Sequence, residues 1–211
     1  MALLANGILF PFTGKLGNVI GFRRNGKYFL RPVPAKSTKE PSIAQLARRA
    51  RFALTHEILR PIYSLVSDTF KHSNRYRMGH NLAFSYTIGN VIKGTYPDYT
   101  IDWSKLLISQ GYLFPAEKPE AIAGPGKITF QWNCNPANTA HKMDLAILAV
   151  YAPALNQCIY TIGSAERKCC ASEINVKAFA GQTVHTYIGF LSPDKKKASK
   201  SLYTGSFYIT I

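Results

Sequence analysis

Acidic residues are what this sequence most lacks: eleven Asp and Glu stand against 26 Lys and Arg in 211 residues, a net charge of +15. A hydrolase built on paired carboxylates has little to draw on. Asp98 and Asp102 lie four apart near an expected strand start, and cap or turn roles account for both. Charged residues make up only 18% and hydrophobic residues 46%, which excludes wholesale disorder. The longest apolar runs, 145–151 and the broken stretch 2–12, fall far short of the ~20 residues that span a bilayer, so no integral membrane contact is expected.

Chemistry-bearing motifs are equally scarce. Four cysteines occur, Cys134, Cys158, Cys169 and Cys170, with no C-x-x-C spacing. The adjacent pair Cys169-Cys170 cannot easily place both thiolates on one tetrahedral zinc, so free, buried or half-buried thiols are the reading. His56, His72, His80, His141 and His185 are scattered, without the H-E-x-x-H spacing that sets two imidazoles on one helix face. His56 and His72 fall on expected helices among basic residues, where a surface role is the default. There is no G-x-S-x-G, no P-loop and no G-x-G-x-x-G after a strand. No catalytic residue, metal ligand or cofactor is assigned. A non-enzymatic protein is expected.

What the chain does carry is an uneven positive charge. Residues 1–80 hold fourteen Lys or Arg and three acids, a net of +11, whereas residues 81–211 net +4. Such asymmetry marks a polyanion-binding or assembly segment beside a more neutral scaffold.

The first twelve residues are apolar, with Leu3, Leu4, Ile8, Leu9, Phe10 and Phe12. No basic residue precedes the apolar part, and Asn6, Gly7 and Pro11 interrupt it, so a cleavable signal peptide is not indicated. The segment reads as an assembly arm that packs on another subunit, or else as a strand added to its own domain. A cytoplasmic protein, or part of a macromolecular particle, follows as the expected setting.

Residues 19–24 and 27–33 flank Asn25-Gly26, a pair that tolerates the positive φ of a type I′ turn. A two-residue loop then sets Arg24 opposite Lys27, Phe22 opposite Phe29 and Ile20 opposite Arg31. Three prolines in 32–41 make an extended connector. A helix should start at Ser42, where Ser42-Ile-Ala-Gln45 has the form of a capping box. Ile43, Leu46, Ala47, Ala50, Leu54 and Ile58 form its apolar stripe, leaving Arg48, Arg49 and Arg51 off it. Pro61 should stop or kink this helix, a second follows through Phe70, and a third runs from about 78 to 93 with Gly94 as its C-cap. After residue 96 the pattern changes to short β-rich runs at 99–103, 105–109, 127–132, 145–151, 157–162, 172–176, 183–191 and 201–211. That spacing predicts an immunoglobulin- or fibronectin-like antiparallel β-sandwich. The expected class is α+β: a basic N-terminal hairpin and helical region (1–95) followed by the sandwich (96–211).

Several of these segments resemble something known. Gly14-Lys-Leu-Gly-Asn-Val-Ile-Gly21, Asn25-Gly-Lys27, Arg31-Pro-Val-Pro34 and Gln45-Leu-Ala-Arg-Arg-Ala-Arg-Phe52 are similar to an uncharacterised protein family common in Bacteroidota. Gly94-Thr-Tyr-Pro97, Ile101-Asp-Trp-Ser-Lys105, Thr183-Val-His-Thr-Tyr187 and Phe190-Leu-Ser192 extend the resemblance along most of the chain. The family's function is unknown, so the resemblance implies no site residues.

Two functional readings stand. In the first, a structural or assembly protein docks a polyanion such as nucleic acid, or an acidic partner subunit, through Arg23, Arg24, Lys27, Arg31, Arg48, Arg49 and Arg51. Phe22, Tyr28 and Phe29 would stack on bases or enter a partner. The bland counterparts are a solvated helix face for the arginines and packing on the protein's own core for the rings. Oligomerisation, or entry into a larger assembly, belongs to the same reading. In the second, the sandwich is a carbohydrate- or surface-receptor-binding module, with Tyr96, Tyr99 and Trp103 lining the site unless they are buried in packing.

Overall fold

Asn25 and Gly26 both adopt positive φ, +50° and +79°, and the turn they form fixes the pairing on either side of it. In this computed structural model, which describes residues 2–4, 12–35, 39–70, 78–133 and 142–210, β3 (Val19–Arg24) and β4 (Lys27–Pro32) pair antiparallel. Ile20 lies opposite Arg31, Phe22 opposite Phe29 and Arg24 opposite Lys27. Two shorter strands complete the sheet. β1 (Ala2–Leu4) adds to β4, with Leu3 opposite Phe29, and β2 (Gly14–Leu16) adds to β3, for an order β1-β4-β3-β2. Gly21 has no side chain for a reason: a Cβ there would lie 2.4 Å from the Phe12 ring and 2.6 Å from its carbonyl oxygen. Residues 1–42 form one unit of the chain and residues 43–211 a second.

The second unit begins with the long helix α1 (Ile43–Leu59). Pro61 interrupts it as expected: Arg60–Ile62 tightens to a 3₁₀ turn, and α2 (Tyr63–Thr69) follows. The third helix is shorter than its pattern suggests. α3 (Gly79–Asn90) ends before Val91, and β5 (Ile92–Thr95) turns back to pair with β6 (Asp98–Ile101). Val91 and Ile92 are drawn into the core, and Gly94, at φ +87°, sits in the hairpin rather than capping the helix. A Cβ on Gly94 would meet the Asp98 carbonyl oxygen at 2.5 Å, so only glycine fits.

Two antiparallel sheets follow. One has the order β11-β8-β7 and the other β10-β9-β12-β13. Their strands are β7 (Glu120–Gly124), β8 (Lys127–Gln131), β9 (Leu145–Ala152), β10 (Gln157–Glu166), β11 (Ala171–Asn175), β12 (Thr183–Leu191) and β13 (Leu202–Tyr208). Two-residue periodicity sorts the central strands between two cores. Ala146, Leu148, Val150, Ile188 and Phe190 meet Ile128, Phe130 and Trp132 of the three-stranded sheet's side. Ile147, Ala149, Tyr151, Tyr187 and Leu191 point the other way, into a core with Ile58, Leu59, Ile62, Leu65 and Val66 of the helices. Burial on both faces is why β9 reads as an unbroken apolar run. Each aliphatic side chain so enclosed stabilises the fold by roughly 1.5–3 kcal/mol.

Residues 105–109, expected as a strand, form none. Leu106, Leu107 and Ile108 are buried, and hydroxyls serve the backbone at Ile108 and Ser109. The Ile108 and Ser109 amides donate to Ser201 Oγ at 3.0 and 3.3 Å, and Thr69 Oγ1 donates to the Ile108 carbonyl at 2.6 Å. Side chains here replace the ladder of a neighbouring strand.

Candidate functional site

The turn geometry of the first unit decides which basic side chains share a face. Alternation along β3 and β4 puts Phe22 and Arg24 with Lys27, Phe29 and Arg31 on one side, and Arg23 with Tyr28 on the other. Phe22 and Phe29 stack with centroids 5.7 Å apart. Arg31 lies over the Phe22 ring, and Arg23 over the Tyr28 ring, each at 5.7 Å. Arg23, Arg24, Lys27 and Arg31 are exposed, and the rings between them are half-buried. Among the described residues, none of these four cations has a carboxylate within ion-pair distance.

In α1 the three arginines separate. Arg48 and Arg49 are exposed, whereas Arg51 turns inward and donates to the Ile92 carbonyl at 3.3 Å. Among the described residues its buried Nε has no hydrogen-bond partner. Arg51 therefore ties the helix to β5, one turn from the buried Thr55. Of the arm residues, Leu3 and Leu4 belong to β1, and Phe12 is half-buried against Gly21. Ile8, Leu9 and Phe10 lie outside the described residues, as do Cys134, His72 and His141.

The rings considered for a carbohydrate site are largely engaged. Trp103 stacks on His185 at 5.1 Å and lies against Tyr151 at 4.9 Å. The Tyr99 hydroxyl donates to the Ala47 carbonyl, and Tyr187 donates to the Trp103 carbonyl. Tyr96 is 40% exposed.

One correction concerns the cysteines: Cys170 is disulfide-bonded, while Cys158 and Cys169 are free thiols. Burial pushes the Cys158 thiol up to about 12, so it stays protonated and unreactive near neutrality. Among the described residues, no three His, Cys, Asp or Glu gather as metal ligands.

A second polar constellation holds structure together. Arg167 and Asp144 are buried and paired at 3.2 Å. The guanidinium also donates to the Phe114 and Pro115 carbonyls and lies 3.7 Å over the Phe190 ring. Trp132 donates its indole N–H to the Arg167 carbonyl. Sequence reading passed over this group, because nothing in the spacing of residues 114, 144 and 167 announces that they meet.

A family model, the family of unknown function DUF6266, matches residues 11–205, which takes in most of the first unit and nearly all of the second. The chain belongs to this family. No curated protein matches it. No helix among the described residues is long and apolar enough to cross a membrane. Membership thus spans the hairpin, the helices and both larger sheets of this DUF6266 chain without assigning a role to any of them.

Proposed function

We propose that this is a non-enzymatic structural or assembly protein that docks a polyanion, nucleic acid before an acidic subunit, on the exposed face of its β3–β4 hairpin. One observation carries the reading: stacked Phe22 and Phe29 lie among Arg24, Lys27 and Arg31 on a single face, and among the described residues no carboxylate pairs with these cations. Cations track a phosphate backbone while rings accept stacked bases, the pairing of functions that single-strand binders use. Arg24 opposite Lys27 is a like-charge cross-strand pair, mildly unfavourable until an anion enters. Arg48 and Arg49 are exposed cations of the second unit and form a secondary contact region; Arg51 is structural.

We further propose that the two larger sheets form a fibronectin-like sandwich. The strand orders β11-β8-β7 and β10-β9-β12-β13, with a shared apolar layer between them, support that arrangement. A disulfide at Cys170 suits a particle or other oxidising setting better than the reducing cytoplasm.

The test is fluorescence anisotropy of a labelled single-stranded oligonucleotide against the full chain across a salt series. Wild type should bind with a steep salt dependence, and Arg24→Gln with Lys27→Gln and Arg31→Gln should weaken low-salt binding about tenfold or more and flatten the slope by about 2. Equal binding by the triple variant at every salt concentration refutes the reading. Absence of oligonucleotide binding, with capture of an acidic protein by the same hairpin, transfers the site to a partner subunit.

A further inference from the structure

Away from the basic surfaces, the helical layer of the second unit forms a cleft of about 680 Å³. The end of α1 and the 3₁₀ turn after it supply His56, Glu57 and Arg60. Tyr63 opens α2, His80 sits in the first turn of α3, and Asn156 closes the cleft from the β9–β10 connection.

Aromatic surface is available there. Tyr63 packs on His80 at 4.4 Å, His56 on Phe84 at 4.8 Å and Phe52 on Phe84 at 4.5 Å. Tyr63 remains 53% exposed and Phe52 51%, so the ring cluster is not closed over by the protein. Among the described residues that line the cleft, Arg60 and Glu57 are the formally charged pair, with the His56 and His80 imidazoles beside them. Burial, and then the neighbouring His56, lower the pKa of His80, so the fold favours its neutral ring. Among the described residues its buried Nδ1 has no hydrogen-bond partner. Asn156, held at φ +47°, accepts the Tyr151 hydroxyl on Oδ1 at 2.7 Å, which fixes its amide and leaves the N–H₂ group with donors to spare.

We propose that this cleft binds a small planar ring carrying an anionic group, with a nucleoside monophosphate as the representative ligand. Tyr63 offers the stacking surface, Arg60 and the imidazoles meet the anion, and Asn156 and Glu57 are placed for the polar edge of the ring or sugar. The volume is that of an ordinary small-molecule site. A metal centre is not the alternative, because the described residues bring too few ligands together. The cleft lies wholly in residues 56–156, so the proposal is independent of the hairpin's polyanion.

Titration of the full chain with AMP, followed through the imidazole resonances and assigned with His56→Gln and His80→Gln, decides the matter. AMP should move both resonances, and adenosine or inorganic phosphate alone should bind at least about tenfold more weakly. Arg60→Gln and Tyr63→Ala, both at exposed positions, should each weaken AMP about tenfold without lowering the melting temperature. The hairpin triple variant should keep the same shifts, which separates this site from the polyanion surface. Unmoved imidazoles at saturating AMP overturn the proposal, as does phosphate binding as tightly as AMP, or wild-type affinity in either the Arg60 or the Tyr63 variant.

Discussion

Individual side chains carry much of this protein's response to acid. Asp102 accepts from Lys93 Nζ at 2.6 Å and from Ser104 Oγ at 2.5 Å, and these hydrogen bonds hold its carboxyl at about 2. A carboxyl depressed in the fold contributes stability that is complete above its unfolded pKa, about 3.9, and is lost as pH falls towards 2. Asp102→Asn should therefore flatten the acid limb of a melting-temperature profile between about pH 4 and about pH 2. An unchanged limb would show that the pair contributes nothing. His185 behaves with the same sense by a different route. Burial between Trp103 and Tyr203 lowers its pKa, so the fold favours the neutral ring. Its contribution is full above about pH 6.5 and declines as pH drops below that, because the unfolded chain takes up the proton first. His185→Gln should remove that part of the decline. Arg167 matters at every pH. Arg167→Ala strands a buried Asp144 and should cost about 3–5 kcal/mol in urea unfolding, whereas Arg167→Met combined with Asp144→Leu should cost much less.

Among the elements, the four-stranded sheet of the first unit depends on two glycines for different reasons. Gly26 is needed for its backbone: at φ +79°, alanine costs about 1–2 kcal/mol. Gly21 is needed for space, because Phe12 occupies the place of its side chain. Both tryptophans, Trp103 and Trp132, lie in the second unit. Gly21→Val should therefore speed hydrogen exchange in β2 to β4 while leaving tryptophan-monitored unfolding where it was. A parallel loss in the tryptophan signal would mean that the two units unfold together. In the helical layer, Arg51 shows how a residue's type can mislead about its role: an arginine two residues after the exposed Arg49 serves the Ile92 carbonyl.

For the whole molecule, the shared core sets the cooperative unit. A fragment of residues 96–211 would leave Ile147, Ala149, Tyr151 and Tyr187 uncovered, because their partners Ile58, Leu59, Ile62 and Leu65 come from the helices. Residues 43–211 should unfold cooperatively when expressed alone, and residues 96–211 should not; cooperative melting of the shorter piece would place the boundary after the helices. Deleting residues 1–12 removes β1 from its sheet and the Phe12 ring from its place against Gly21. If the arm also joins subunits, light scattering will show a smaller particle. If it is only an added strand, the mass will not change and the first unit alone will be weakened.

Local chemistry determined the local geometry. Asn25-Gly26 carries its own φ preferences, so the β3–β4 register could be read from two residues, and Pro61 ended α1 because it lacks an amide hydrogen. The strands that became β8, β9, β10, β11 and β12 announced themselves through apolar and β-branched runs between turns. Tertiary structure decided what those rules do not encode. Residues 91–95 left the helical pattern because Val91 and Ile92 gain more from the core than from another helical turn. Residues 105–109 were denied a partner strand and took hydroxyls from Thr69 and Ser201. The inward turn of Arg51, the Arg167–Asp144 pair and the cleft at His56 and His80 each join residues far apart in sequence. Such contacts exist only once a core has brought distant segments together, and single-chain periodicity carries no record of them.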